Sequence, residues 1–125
     1  SGIPTDFSGN GGGFVFDCRA LPNPGKYNEY SQLTGMDGDV VKFLEKHDTV
    51  KEFLESVFNL ANMSVARYME RGFKDLMINF GCTGGQHRSV YCAEKLAQYI
   101  CERYDVEIIL THVEQGVVKK IQAGL

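Results

Sequence analysis

The residues best suited to chemistry are concentrated in one turn, between an apolar segment and an amphipathic one. The turn holds two adjacent glycines, two hydroxyls, a histidine and an arginine, in the order Gly81-Cys82-Thr83-Gly84-Gly85-Gln86-His87-Arg88-Ser89. Glycines let the backbone approach a ligand closely, and an arginine presents a planar pair of donors to phosphate oxygens. These residue types predict a phosphate-binding loop with eight candidate ligand residues, Cys82, Thr83, Gly84, Gly85, Gln86, His87, Arg88 and Ser89.

The same loop also has the residue spacing of a known type of catalytic site. Five residues separate Cys82 from Arg88, and Ser89 follows directly, which is similar to the phosphate loop of cysteine-dependent phosphatases. A helix N-terminus and a nearby guanidinium both lower the pKa of a thiol, and the thiolate is the nucleophile. Gly81 stands where such enzymes often have a histidine, and no general acid is obvious. Catalysis by Cys82 and Arg88 is therefore the alternative to binding without turnover.

Two elements must position this turn. The short apolar run Leu76–Phe80 is typical of a strand inside a parallel sheet. From Val90 to Tyr104 the apolar residues recur at the spacing of one helix face. The start of such a helix directs unpaired N–H groups and the positive end of its dipole into the turn. Both features favour an anion there.

The remaining chain supplies further strands and helices. A strand is predicted over Phe14–Arg19 and another over Glu107–His112, and helices over Asp39–Lys46, from Asp48 or Thr49 to about Arg71, and over Glu114–Gln122. The long helix should bury Val50, Phe53, Leu54, Val57, Phe58, Ala61, Val65 and Tyr68, with Met63 and Met69 filling the core or its margin. This order predicts an α/β fold, a small, mostly parallel sheet with helices on its faces.

Ligands of open α/β sheets bind at the carboxyl ends of the strands. The irregular segment 17–35 should therefore face the 81–89 turn, and both should line one site. Asp17 and Arg19 could equally form an ion pair with each other. The secondary ligand candidates at this edge are Asp17, Arg19, Asn23, Thr34, Gly35 and His112.

Composition limits the classes of function. The chain has 125 residues, 43% of them hydrophobic, which predicts one globular domain over residues 14–125 after a flexible glycine-rich linker, 1–13. The net charge of -3 is unfavourable for nucleic acid outside a local patch. Four cysteines without C-x-x-C pairs indicate reduced thiols in a cytoplasmic protein. The sequence contains no metal-ligand spacing, no membrane-length apolar run and no motif that requires a cofactor.

Three motifs together resemble the C-terminal domain of the RapZ (YvcJ) family. They are the Gly81–Ser89 turn, Leu21-Pro22-Asn23-Pro24 and Leu33-Thr34-Gly35, and the resemblance runs from about Phe14 to about His112. It implies a Rossmann-like fold resembling a phosphofructokinase subdomain, preceded by a kinase-like domain in the full-length protein. Family members are RNA-binding adapters that present a small regulatory RNA to RNase E and sense glucosamine-6-phosphate. The resemblance implies that Cys82 to Ser89 line the phosphate site.

The sequence departs from the adapters at three positions. Gly25 stands where they have a histidine, and Ser31 and Val113 stand where they have arginines. Losing these groups weakens RNA binding more than phosphate binding, because RNA affinity scales with the phosphates neutralised. We therefore predict a regulatory module that binds a phosphosugar or nucleotide, with a ligand resembling glucosamine-6-phosphate. RNA and a second copy of the chain are further candidate partners, and the domain by itself is not expected to be an enzyme.

Overall fold

The computed structural model describes residues 13–72, 75–81, 86–112 and 117–122. Its helices are α1 (Gly38–Glu45), α2 (Asp48–Glu70) and α3 (Arg88–Arg103). Its strands are β1 (Gly13–Asp17), β2 (Asp75–Gly81), β3 (Glu107–His112) and β4 (Val117–Gln122). Two 3₁₀ turns, Pro24–Lys26 and Asn28–Tyr30, lie in the segment between β1 and α1. The chain therefore has the α/β class that the sequence predicted.

The strands form one sheet in the order β1-β2-β3-β4. β1 is parallel to β2 with Asp17 opposite Gly81, and β2 is parallel to β3 with Ile78 opposite Leu110. The carboxyl ends of these three strands consequently share one edge of the sheet. α3 packs against β2 and β3, and α2 packs against α3. Because β1, β2 and β3 follow in sequential order, right-handed crossovers bring both helical connections to the same face.

The prediction of a final helix over Glu114–Gln122 is wrong. Val117–Gln122 is a strand, antiparallel to β3, with His112 opposite Val117 and Glu107 opposite Gln122. The edge of β3 presents a row of backbone donors and acceptors that a further strand can pair. Three β-branched residues in the segment favour that extended conformation.

The long helix and its end are confirmed, but Phe53, Phe58 and Tyr68 of its predicted core face are only half-buried, and Met69 is 37% exposed. α2 buries Val50, Leu54, Val57, Ala61 and Val65. Gly72 follows it with φ +80, and its N–H donates to the carbonyl of Met69 at 3.0 Å, which is the usual left-handed helix end. Met63 is 70% exposed, so its predicted place in or near the core is wrong. It follows the buried Ala61 by two positions, which is about 200° around a helix and so on the opposite face.

The core lies where α2, α3 and the sheet meet. Leu96 and Ile100 of α3 are fully buried there, with Ile108 and Leu110 of β3. Among the described cysteines, Cys18, Cys92 and Cys101 are in no disulfide; the first two are fully buried and Cys101 is half-buried. Burial raises the pKa of the Cys101 thiol. These thiols pack as small apolar groups.

Candidate functional site

The segment after β1 lies directly against the start of α3. The N–H of Gly35 donates to the carbonyl of Gln86 at 3.0 Å. A Cβ on Gly35 would lie 2.3 Å from the carbonyl oxygen of His87 and 2.4 Å from the nitrogen of Tyr91. Only a glycine permits so close an approach of two backbones. The Leu33-Thr34-Gly35 motif and the Gly81–Ser89 turn therefore contact each other here.

Three consecutive side chains at the start of α3 hold this segment by its carbonyl groups. The amide nitrogen of Gln86 donates to the carbonyls of Ser31 and Leu33, at 2.8 and 2.7 Å. Nε2 of His87 lies 2.9 Å from the carbonyl of Tyr30.

Arg88 completes the set. Its Nη1 donates to the carbonyls of Arg19 and Leu21, at 2.8 and 3.1 Å. The residues that sequence reasoning assigned to phosphate thus make structural contacts up to 69 residues away in the chain.

These contacts decide which donors remain for a ligand. A primary amide has two N–H donors, and both donors of Gln86 are engaged. Nη1 of Arg88 also has two, and both are engaged, whereas the guanidinium has three further N–H groups on Nε and Nη2. In the part of the chain that the structure describes, no acceptor contacts those three. The Nε and Nη2 groups of Arg88, which we call its free edge, are therefore the donors that remain for a ligand.

The charge of Arg88 is buried, and no carboxylate of the described residues is bonded to it. Its exposed fraction is 4%, and none of the ion pairs among the described residues includes it. Asp17 is close enough to feel its charge, but that carboxylate is held by Arg19 at 2.6 Å. Hydrogen bonds from Arg19 lower the pKa of Asp17 to about 2, and Arg88 makes a smaller contribution. A buried cation is costly unless an anion pairs with it.

Asp17 and Arg19 form an ion pair with each other, which is one of the two roles that the sequence allows for them. Both side chains are more than half exposed. Asn23 and Thr34 have local contacts. Oδ1 of Asn23 accepts from the N–H of Gly25 at 2.9 Å, and Oγ1 of Thr34 accepts from the N–H of Met36 at 3.2 Å. These side chains shape the turns that bring the segment to α3.

The helix start has the geometry that the sequence predicted. α3 begins at Arg88, and its first backbone bond runs from the N–H of Tyr91 to the carbonyl of His87, at 3.0 Å. The N–H groups in the first turn of a helix have no acceptor four residues back within the helix. Ser89 lies in this turn and is 5% exposed.

Half of the candidate loop lies outside the described residues. Cys82, Thr83, Gly84 and Gly85 are in that part, so their assignment to phosphate, and the alternative role of Cys82, stay predictions. His112 ends β3, at the same edge of the sheet as Asp17 and Gly81. Sequence reasoning missed the backbone carbonyls as partners of Gln86, His87 and Arg88. The sequence feature that could have indicated these contacts is the occurrence of the three motifs together in one chain.

Comparison with known proteins decides the family. The RapZ C-terminal domain profile matches residues 1–115 of the chain. The chain belongs to this family. A nucleotide-binding protein of Fervidobacterium nodosum is 43% identical over 116 residues, and the match covers 92% of this chain. Nucleotide-binding proteins of Thermotoga neapolitana and Staphylococcus aureus are 40% and 38% identical, over 79% and 84% of this chain.

This RapZ C-terminal domain spans only part of those relatives. It covers 39%, 34% and 36% of their lengths. Among its described residues, no group of three or more His, Cys, Asp or Glu side chains is placed to hold a metal ion. Within the same residues, no helix combines the length and the apolar character that a membrane crossing requires.

Proposed function

We propose that this domain is a regulatory module that binds the phosphate group of a small molecule at the start of α3. The Nε and Nη2 edge of Arg88 and the positive end of the α3 dipole hold the phosphate. Cys82, Thr83, Gly84 and Gly85 stay candidate ligands on the sequence alone. The segment that follows β1 contacts Arg88 through the carbonyls of Arg19 and Leu21. A change in this segment on ligand binding would signal the bound state to the rest of a longer protein.

The observation that carries the proposal is the buried charge of Arg88, to which no carboxylate among the described residues is bonded. A guanidinium that is 4% exposed and whose bonds among the described residues all go to neutral carbonyls is electrostatically unfavourable without an anion. Its position within the first turn of a helix adds to that cost, because the helix dipole is positive there. A phosphate would remove both penalties at once. The Asp17 carboxylate interacts electrostatically with Arg88, but it is bonded to Arg19.

The names of the relatives and the family resemblance both support a chemical class for the ligand. The curated relatives carry the name nucleotide-binding protein, and the family resemblance implies glucosamine-6-phosphate. Nucleotides and phosphosugars share the phosphate group that the Arg88 edge would bind. We propose a phosphorylated small molecule of one of these two kinds.

Other expectations stay predictions. The parallel order of β1, β2 and β3 supports a Rossmann-like or phosphofructokinase-subdomain-like classification. The reduced thiols of Cys18, Cys92 and Cys101 support a cytoplasmic location. An upstream kinase-like domain, RNA as a partner, and association with a second copy of the chain rest on the resemblance.

The test is isothermal titration with inorganic phosphate, a nucleoside monophosphate and glucosamine-6-phosphate. We expect Arg88→Ala to weaken phosphate binding by about 10-fold or more, the usual range for a charge-assisted hydrogen bond. Arg67→Ala is the matched control, since that arginine is exposed and pairs only with Glu70. Equal phosphate affinity in wild type and Arg88→Ala would refute the proposal.

A second variant separates binding from folding. Arg88→Ala also removes the bonds to Arg19 and Leu21, so it could act by loosening the segment after β1. Gln86→Ala loosens the same segment while keeping the guanidinium. We expect it to weaken phosphate binding much less than Arg88→Ala. A loss as large in Gln86→Ala would show that Arg88 acts on the fold and not on the ligand.

A further inference from the structure

Four aromatic rings pack together where the two 3₁₀ turns meet α1. Phe43 of α1 lies at the centre. Its ring centroid is 5.6 Å from that of Tyr27, 5.3 Å from that of Tyr30 and 5.1 Å from that of His47. Tyr27 and Tyr30 also contact each other edge to face, with centroids 6.3 Å apart. We call these four side chains the Phe43 cluster.

The outermost ring of the Phe43 cluster is Tyr27. Its side chain is 49% exposed, whereas Tyr30, Phe43 and His47 are half-buried. The N–H of Tyr30 donates to the carbonyl of Tyr27 at 3.1 Å, which holds the two tyrosines in one turn. The cluster therefore presents the Tyr27 ring to solvent on a base of packed aromatic side chains.

Two carboxylates lie beside the Phe43 cluster. Asp39 precedes Phe43 by four positions in α1, which places both side chains on one helix face. Glu29 directly precedes Tyr30 in the second 3₁₀ turn. Partial burial and the charges of these two carboxylates raise the pKa of Tyr30, and no lysine contributes to that shift. None of the ion pairs among the described residues includes Glu29 or Asp39.

An exposed tyrosine beside carboxylates is suited to a guanidinium. A cation over an aromatic face is attracted by the electrons of the ring, and arginine can stack on the ring while its N–H groups reach carboxylates. The domain itself contains such a stack, in which Arg103 lies over the ring of Tyr99, 3.8 Å from its centroid. In the part of the chain that the structure describes, no cation lies over the ring of Tyr27.

We propose that the Phe43 cluster is a docking surface for an arginine-bearing segment of a partner protein, whose guanidinium stacks on Tyr27 beside the carboxylates of Glu29 and Asp39. Charge complementarity selects this occupant, because an apolar surface bordered by carboxylates favours a side chain that is both flat and cationic. Aromatic residues and arginine are also the residue types most enriched in protein interfaces. The inference is independent of the proposed phosphate site.

The experiment titrates the domain with two peptides and follows the backbone amide signals of residues 26–30 by NMR. One peptide is glycyl-arginyl-arginyl-glycine with blocked ends, and the other has neutral citrulline, of nearly the same shape, in place of both arginines. We expect wild type to bind the arginine peptide about 5-fold more tightly, the effect of one exposed cation–π contact with a surface ion pair. In Tyr27→Leu, which keeps an apolar side chain without the ring, the ratio of the two dissociation constants should fall to about 1.

Charge variants test the carboxylates separately. Glu29→Gln combined with Asp39→Asn should lower the ratio towards 1. Glu70→Gln is the matched control and should keep the wild-type ratio, because Glu70 ends α2 and lies roughly 30 Å along the helix axis from His47. The same amide spectra report whether each variant is folded.

Three outcomes would overturn the proposal. Equal dissociation constants of the two peptides for wild type would show that the Phe43 cluster makes apolar contacts without selecting a cation. Absence of a saturable shift with the arginine peptide would show that no guanidinium docks there. A preference that persists in Tyr27→Leu would place the binding elsewhere on the domain.

Discussion

Gly35 and His87 lie so close that a side chain on the first would collide with the backbone of the second. A Cβ on Gly35 would be 2.3 Å from the carbonyl oxygen of His87, well inside van der Waals contact. This approach brings the segment after β1 onto the first turn of α3. The glycine of the Leu33-Thr34-Gly35 motif is thus explained by packing against the helix that carries Arg88.

Gly35→Ala should destabilise the fold. The added methyl group must displace the backbone of His87 or Tyr91, and overpacking of this kind costs about 1–3 kcal/mol. Urea denaturation measures the free energy of unfolding. Gly38→Ala serves as the control and should lie within about 0.5 kcal/mol of wild type, since it is exposed and unobstructed. Equal stabilities of the two variants would contradict the close approach.

Gln86→Ala should loosen the segment after β1. The substitution removes two hydrogen bonds, to Ser31 and Leu33, which together are worth about 1–3 kcal/mol. Hydrogen exchange should accelerate at the amides of residues 30–35 more than elsewhere. Gln98→Ala, on the exposed side of α3, is the matched control and should exchange like wild type. Unchanged protection in Gln86→Ala would mean that the two bonds do not hold the segment.

The Asp17–Arg19 pair should give the fold a dependence on acid pH. Hydrogen bonds from Arg19 lower the pKa of Asp17 from 3.8 to about 2. Because the folded pKa is the lower one, the stabilisation is present above pH 3.8 and is lost as the pH falls from 3.8 to about 2. Both side chains are largely exposed, so salt should weaken the effect.

Carbon-detected NMR titration of the Asp17 carboxyl group measures this pKa directly. In Arg19→Ala the midpoint should rise from about 2 towards the ordinary value of 3.8. Arg67→Ala removes a separate exposed ion pair, with Glu70, and should leave the Asp17 midpoint in place. A midpoint near 3.8 in wild type would show that the pair does not persist in solution.

Gly72 should tolerate a side chain poorly for a reason unrelated to space. Nothing lies within 4 Å of a Cβ there, but its φ of +80 is unfavourable for residues with a Cβ. Gly72→Ala should therefore cost about 1 kcal/mol in thermal or urea unfolding. Gly72→Asn should cost less, because asparagine adopts this conformation more readily. Alanine proving as stable as glycine would argue against the left-handed end of α2.

Local patterns determined all the regular elements of this protein that were predicted before residue 113. The apolar spacing of α2 specified its buried face at Val50, Leu54 and Val57, and Gly72 specified its end, because both depend on residues adjacent in the chain. The run Leu76–Phe80 and the residues from Val90 specified a strand and a helix around the glycine turn. The same reasoning placed the candidate anion site at the start of α3.

Tertiary structure decided what the side chains at that site do. The residue types of Gln86, His87 and Arg88 show that their side chains donate hydrogen bonds. The acceptors are backbone carbonyls of residues 19–33. The pairing of β1 with β2 and the close approach of Gly35 bring those carbonyls to the start of α3. Backbone carbonyls are present at every residue, so the sequence holds no mark of which ones will be used. Pairing along β3 likewise made Val117–Gln122 a strand, because an available sheet edge outweighs a weak local helix pattern.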